Sequence, residues 1–107
     1  MDDFGAIVLT RLPFMDLSGN KRRPALVISQ HNDRRSDVVL AFITSVPRSG
    51  PDMAPIAPYP GTGLKRPSVV RFDKIATLDK SIIAGGLGHA PADWLHRHAP
   101  TFFGLTR

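Results

Sequence analysis

Proline and glycine are so frequent in this chain that they limit it to short structural segments. Ten prolines and nine glycines occur among 107 residues, and Glu is absent. Proline lacks the amide hydrogen that a helix interior needs, and glycine costs a helix about 1 kcal/mol relative to alanine. Good helix formers are therefore scarce and breaks are frequent. The composition favours a mainly β structure over a helical one.

The length of the chain predicts one domain, residues 1–107, with a modest core, because domains typically contain about 100–150 residues. Cysteine is absent, which excludes disulfides and Cys-ligated zinc or iron–sulfur centres. No apolar run approaches the ~20 residues of a membrane span, so no membrane association is expected. Residues Met1–Asp3 are acidic and do not resemble a secretory signal. We therefore expect the protein in the cytoplasm.

The charge balance indicates a polyanionic or acidic partner. The formal net charge is +5 with a sequence pI near 10.5, and Arg supplies most of the cations. A guanidinium binds phosphate through two hydrogen bonds at once, which a Lys ammonium cannot do. The bias toward Arg thus favours a phosphate-bearing partner. Solubility alone is the alternative explanation.

Short β-rich segments separated by turn residues predict a small barrel or sandwich. The predicted strands are Ala6–Leu12, Pro24–Ser29, Val38–Thr44, Ser68–Asp73 and Ile82–Gly85. The run from Val38 to Thr44 is almost continuously apolar, which is typical of a strand buried on both faces. Residues 46–67 hold six prolines and three glycines and are predicted to be irregular, with Ala54–Ala57 as a candidate edge strand.

One helix is predicted at the C-terminal end. Pro91 suits the first helical turn, and Asp93 suits the positive end of the helix dipole. Pro100 should kink or end the first segment of this helix. The helix therefore follows the strands.

Two motifs at strand ends carry candidate binding chemistry. Lys21, Arg22 and Arg23 precede Pro24 and a strand, where cations can hold a phosphate. A solvated basic turn is the alternative. The buried strand that ends at Thr44 is followed by Ser45, which places a pair of hydroxyls where sites commonly form. Taken alone, the pair is explained better by capping of the strand end.

A third motif joins a cation and a carboxylate. Arg71 and Asp73 are two residues apart in a predicted strand, so they point to the same face. They can pair with each other or both face a substrate. Metal binding is not indicated, because His96 and His98 would lie on different sides of a helix. We expect neither a metal nor a cofactor.

Taken in chain order, these pieces resemble the MazF/PemK (Kid-like) toxins of type II toxin–antitoxin systems. The resemblance covers roughly residues 4 to 105. The matching residues are Gly5-x-Ile7-Val8, Lys21-x-Arg23-Pro24-Ala25-Leu26-Val27-Ile28-Ser29, Ile43-Thr44-Ser45, Gly63-Leu64-x-x-x-Ser68-Val69-Val70-Arg71-x-Asp73, Lys74-Ile75-x-Thr77-Leu78-Asp79-Lys80 and Leu87-Gly88.

The resemblance implies a compact SH3-like β-barrel with a terminal helix, usually as a homodimer. It also implies a metal-independent endoribonuclease that cleaves single-stranded RNA. The RNA 2′-hydroxyl attacks the adjacent phosphate and leaves a 2′,3′-cyclic phosphate and a 5′-hydroxyl. The family's catalytic pair matches Arg23 and Thr44, and the Kid-like branch adds residues that match Arg71 and Asp73.

The same resemblance implies two partners, an RNA substrate and an acidic antitoxin whose disordered tail orders over the basic groove. Candidate RNA-binding residues flank the catalytic ones. They are Asn20, Lys21, Arg22, Ser45, Lys65, Arg66 and Ser68.

Two other function classes remain open on the sequence. One is a CcdB-like toxin on the same barrel, which binds gyrase and cleaves nothing. The other is a nucleic-acid-binding barrel without cleavage. This second alternative depends on the segment Ser18–Asn20, where the Kid-like branch carries a His before its Arg-Pro motif.

Overall fold

The fold is one antiparallel sheet followed by a C-terminal helix. The computed structural model describes residues 3–11, 22–30 and 36–106. The strands are β1 (Ala6–Arg11), β2 (Arg22–Val27), β3 (Asp37–Thr44), β4 (Met53–Ile56), β5 (Ser68–Asp79) and β6 (Ile83–His89), and the helix is α1 (Ala92–Thr106). Their order across the sheet is β4-β5-β3-β2-β1-β6. The predicted mainly β class with a terminal helix is confirmed.

All five predicted strands form, and β5 is longer than expected. It continues from Ser68 to Asp79 instead of ending at Asp73. The predicted edge strand is also confirmed, because β4 lies at the edge of the sheet and includes Pro55. Proline cannot donate a ladder hydrogen bond, so an edge is where a strand tolerates it.

The helix does not end at Pro100. α1 runs through this residue to Thr106, so of the two predicted effects of Pro100, a kink or an end, the end is wrong. Proline removes one backbone hydrogen bond and leaves the rest of the helix able to form. No helix in the described ranges is long and apolar enough to cross a membrane.

The core lies on both faces of the sheet, which confirms the prediction for β3. One cluster packs against α1, and the other lies on the opposite face. The first contains Ile7, Leu26, Ala41, Ile43, Ala54, Ile56, Val70, Phe72, Ala90, Trp94 and Leu95. The second contains Ala6, Val8, Ala25, Val27, Val38 and Leu40. Trp94 also fixes α1 to the sheet edge, because its indole N–H donates to the Pro55 carbonyl at 2.9 Å.

The segment after β4 crosses to β6 at the other edge of the sheet. The amide of His89 donates to the carbonyl of Gly61 at 2.8 Å. Thr62 is fully buried, and its hydroxyl donates to the Tyr59 carbonyl and accepts from the Leu64 amide. This segment is defined here as the crossing loop (residues 57–67). The bond from His89 holds it against the last strand, and the bonds of Thr62 fix its own turn.

The crossing loop approaches β6 so closely that a side chain does not fit between them. A Cβ at Gly88 would overlap the carbonyl oxygen of Gly61 and lie 2.7 Å from the carbonyl group of Thr62. We expect Gly88→Ala to lower the free energy of unfolding by about 1–3 kcal/mol, because the backbone must move. Urea denaturation measures this change.

Gly85 is the matched control, since it lies in the same strand and a Cβ there has no neighbour within 4 Å. Gly85→Ala should be neutral or stabilise by up to about 1 kcal/mol, because alanine restricts the unfolded chain more than glycine does. Equal effects of the two substitutions would contradict the close contact at Gly88.

Candidate functional site

A cleft of about 370 Å³ opens at one end of the sheet, where β2 begins and β3 ends. Four cations and three hydroxyl side chains line it, together with apolar residues. The lining residues are Leu9, Arg22, Arg23, Pro24, Ile43, Thr44, Ser45, Val46, Gly63, Leu64, Lys65, Arg66, Ser68 and Leu87. The cleft is therefore basic at its polar positions.

Strand pairing brings the polar residues of the cleft together. β2 and β3 are antiparallel with Ala25 opposite Phe42, so the first residues of β2 lie beside the last residues of β3. β3 and β5 are antiparallel with Thr44 opposite Val69, so β5 begins at the same end. The hydroxyl of buried Thr10 donates to the carbonyl of Arg23 at 2.9 Å and fixes the start of β2.

The hydroxyl of Thr44 is oriented by the backbone. Its Oγ1 accepts a hydrogen bond from the amide of Val46 at 3.1 Å. A hydroxyl that accepts one hydrogen bond keeps its own hydrogen for donation. Thr44 can therefore donate a hydrogen bond to an oxygen atom in the cleft.

Arg71 and Asp73 pair with each other and are not among the residues that line the cleft. The guanidinium donates from Nε to Oδ1 at 3.1 Å and from Nη2 to Oδ2 at 2.6 Å. Arg71 lies opposite Phe42, and Thr44 is two residues after Phe42, so Arg71 and Thr44 point to the same face of the sheet. Ala25 also lies opposite Phe42, and Arg23 is two residues before Ala25, so Arg23 shares this face.

The register of β5 explains this pairing. Phe42 lies opposite Arg71, while the preceding residue, Ala41, lies opposite Ile75. Three residues of β5 are therefore extra at this point and form a bulge. Bulges change the direction of a strand and reorient side chains, often next to functional sites. The bulge accommodates Asp73 beside Arg71.

The ion pair changes the proton affinity of both groups. The hydrogen bonds from Arg71 lower the pKa of Asp73, and Asp73 raises the pKa of Arg71. Both groups are consequently charged at neutral pH. A carboxylate held by two hydrogen bonds is a weaker proton acceptor than a free one.

The structure brings together most of the residues that the sequence singles out. Arg22, Arg23, Thr44, Ser45, Lys65, Arg66 and Ser68 line one cleft. Arg71 and Asp73 lie outside its lining, and Asn20 and Lys21 fall outside the described residues. Within the described ranges, no group of three His, Cys, Asp or Glu residues is placed to hold a metal ion.

Sequence reasoning missed the apolar part of the cleft. Leu9, Ile43, Leu64 and Leu87 come from four separate segments and contribute to its lining. It also missed Thr62, which holds the crossing loop over the cleft through its buried hydroxyl. Thr62 lies between Gly61 and Gly63, which both have positive φ. These two glycines are the one local signal of a fixed turn at Thr62.

The Arg71–Asp73 pair generates a prediction about the pH dependence of stability. The pKa of Asp73 is lower in the folded state than its ordinary value of about 3.9, so the pair stabilises the fold above that pH. This contribution is lost as the pH falls through the folded-state pKa. We expect Asp73→Asn to be less stable than the wild type at pH 7 and equally stable in strong acid.

Urea denaturation at both pH values measures the difference. Asp52→Asn is the control, because Asp52 is exposed and uses its backbone carbonyl to accept from the Phe72 amide. A stability loss in Asp73→Asn that is the same at both pH values would contradict an ionic origin.

Known proteins match the chain at the level of family and fold. The sequence pattern of PemK-like, MazF-like toxins of type II toxin–antitoxin systems matches residues 3–97. None of the curated protein sequences matches the chain.

Several solved structures match it over almost their whole length. The toxin MazF-mt6 of Mycobacterium tuberculosis is 23% identical with a TM-score of 0.75, over 94% of this chain and 95% of that one. An endoribonuclease solved with its cognate antitoxin, from a Mycobacterial species, is 22% identical with a TM-score of 0.77, over 99% and 95% of the two chains.

A chain of the MazE–MazF complex from Deinococcus radiodurans is 26% identical with a TM-score of 0.75, over 97% of this chain and 93% of that one. The family pattern alone covers well over half of the sequence. The chain therefore belongs to the PemK-like, MazF-like toxin family of type II toxin–antitoxin systems.

Proposed function

We propose that this protein is an endoribonuclease that cleaves single-stranded RNA and so inhibits translation and growth. The observation that carries the proposal is the cleft, in which Arg23 and Thr44 lie with three further cations, Arg22, Lys65 and Arg66. Such a set of cations suits a phosphate backbone. The fold similarity to an endoribonuclease solved with its antitoxin supports the same activity.

In the proposed reaction the protein stabilises developing charge and forms no covalent bond to the RNA. The RNA 2′-oxygen forms a bond to the adjacent phosphorus, and the bond from phosphorus to the 5′-oxygen breaks. The 2′-hydroxyl loses a proton to a base, and the leaving 5′-oxygen gains one. The products are a 2′,3′-cyclic phosphate and a 5′-hydroxyl, with no metal ion in the reaction.

Arg23 and Thr44 have separate roles in this reaction. Negative charge develops on the phosphoryl oxygens, and the Arg23 guanidinium stabilises it where it forms. The Thr44 hydroxyl accepts a hydrogen bond from the Val46 amide and keeps its own hydrogen for donation. It donates this hydrogen either to a phosphoryl oxygen or to the 2′-hydroxyl, which it then orients. The two residues start and end neighbouring strands, so the sheet fixes their separation.

Arg71 and Asp73 act at the side of the cleft in the proposed reaction. Asp73 accepts the 2′-hydroxyl proton, and Arg71 faces the phosphate from the other side. Their mutual hydrogen bonds must loosen for Asp73 to act as a base, since Arg71 lowers its pKa. The pair is thus proposed to be held ready beside the cleft until substrate separates it.

The remaining candidate residues bind RNA in this proposal. Arg22, Lys65 and Arg66 contact the backbone, while Ser45 and Ser68 donate hydrogen bonds within the cleft. Asn20 and Lys21, which precede β2 in the sequence, are proposed to bind RNA as well.

Partners and assembly follow from family membership and charge. An acidic antitoxin tail covers the basic cleft, and opposite charges speed the encounter. We propose one toxin domain over residues 1–107, working as a homodimer in the cytoplasm. The crossing loop connects the two edges of the sheet. In this proposal, the sheet connected in this way corresponds to the SH3-like barrel of the family.

Substitution of Arg23 tests the proposed activity. We expect Arg23→Ala to slow RNA cleavage by at least about 100-fold, because it removes one donor to the charged transition state. Cleavage of a labelled single-stranded RNA by purified protein measures the rate, and urea denaturation checks the fold. Lys80→Ala is the control: it also removes one cation, and Lys80 follows the opposite end of β5.

Full activity of Arg23→Ala would remove this residue from the mechanism. The two open alternatives give different results for the wild type. Growth arrest on expression with intact cellular RNA favours a gyrase-binding toxin. RNA binding without cleavage or growth arrest favours a non-catalytic barrel.

A further inference from the structure

A second depression on the surface adjoins the cleft. It has a volume of about 420 Å³ and is lined by Pro55, Ile56, Ala57, Tyr59, Pro67, Ser68, Arg97 and His98. Ser68 lines both this depression and the cleft. A third depression of about 380 Å³ follows and shares Tyr59 and Arg97 with the second. The last two depressions together are called the Tyr59 groove here.

The aromatic side chain in the groove is held at the surface. Tyr59 is 40% exposed, although most large apolar residues in the described ranges are covered. Its backbone is fixed, because the carbonyl of Tyr59 accepts from both the amide and the hydroxyl of Thr62, at 3.1 and 2.9 Å. An exposed aromatic ring on a fixed backbone is suited to stacking against a planar group.

A cation lies beside this aromatic ring. The side chain of Arg97 is 63% exposed, and its contact with Asp93 on the same helix is 3.8 Å long between two exposed groups. Such a pair is weak, so the guanidinium has donors for another anion. Arg97 lines both parts of the groove.

His98 contributes an uncharged imidazole ring to the lining of the groove. Its imidazole lies 4.6 Å from the Trp94 ring, and burial there lowers its pKa, with a further contribution from Arg97. At neutral pH the imidazole is therefore neutral. The groove then combines aromatic surfaces with one cation, Arg97, and one carboxylate, Asp93.

We propose that the Tyr59 groove binds nucleotides that flank the cleavage site, with a base stacked on Tyr59 and Arg97 contacting a backbone phosphate. The inference rests on the proposed function. Its physical basis is adjacency, because Ser68 lines both the cleft and the groove, so that nucleotides next to those in the cleft come close to Tyr59 and Arg97. Aromatic rings that alternate with cations are how proteins bind single strands without reading sequence.

Binding of uncleavable strands tests the inference. The probes are a short 2′-O-methyl RNA that fills the cleft and two longer ones, extended on the 5′ or the 3′ side. Fluorescence anisotropy gives the affinities. In the wild type, one of the two extensions should tighten binding. Tyr59→Leu should weaken binding of the strand with that extension about 5- to 150-fold, since one stacked base contributes about 1–3 kcal/mol. The short strand should bind both proteins equally.

Two further variants separate stacking from charge. Tyr59→Phe keeps the ring and should retain the affinity for the extended strand. Arg97→Ala should weaken that strand and reduce the salt dependence of its binding by about one phosphate contact. Lys80→Ala is again the control for loss of one cation.

Several outcomes would overturn the inference. One is equal weakening of short and extended strands by Tyr59→Leu, and another is no weakening of either. A change in oligomeric mass in Tyr59→Leu would instead identify the groove as a protein interface. If the wild type cleaves RNA and the extensions add no affinity, the inference fails while the proposed function stands. If the wild type cleaves no RNA, the proposed function itself fails.

Discussion

The cleft depends on the backbone contact between the crossing loop and β6. Gly61 accepts from the His89 amide, and neither Gly63 nor Gly88 has room for a side chain at the approach. This contact connects opposite edges of a sheet whose strand order is open. It also holds Leu64, and with it the two cations that follow, against the ends of β2 and β3. Without it, the part of the lining that the crossing loop supplies, Gly63, Leu64, Lys65 and Arg66, would have no fixed position.

The bulge in β5 imposes a second constraint. Between Arg71 and Ile75 the strand gains three residues relative to β3, and Asp73 lies within them. Phe72 keeps its amide bonded to the Asp52 carbonyl, so the bulge is anchored on the other side by the chain that leads into β4. An irregular stretch therefore holds Asp73, the carboxylate of the proposed reaction, in a defined ion pair.

Periodicity and residue type predicted the strands, the edge position of the proline-containing strand and the terminal helix. They also placed Arg23 and Thr44 at strand ends, where the structure finds a cleft. Part of the rest depends on long-range contacts that local patterns do not encode, since the continuation of β5 to Asp79 follows from its pairing with β3. The helix continues through Pro100 for a local reason, because the loss of one backbone hydrogen bond leaves the bonds on either side. The glycines beside Thr62 indicate a turn, but the local sequence does not predict that its hydroxyl is buried.

The central claim is that this cleft cleaves RNA through the substrate's own 2′-hydroxyl. The most direct test is to incubate purified protein with a single-stranded RNA in EDTA and to analyse the ends of the products. The same strand with one 2′-deoxynucleotide at the cut position is treated in parallel. The account predicts a 2′,3′-cyclic phosphate and a 5′-hydroxyl from the first strand and no cut at that position in the second. A 5′-phosphate product, or equal cleavage of the 2′-deoxy strand, would contradict it.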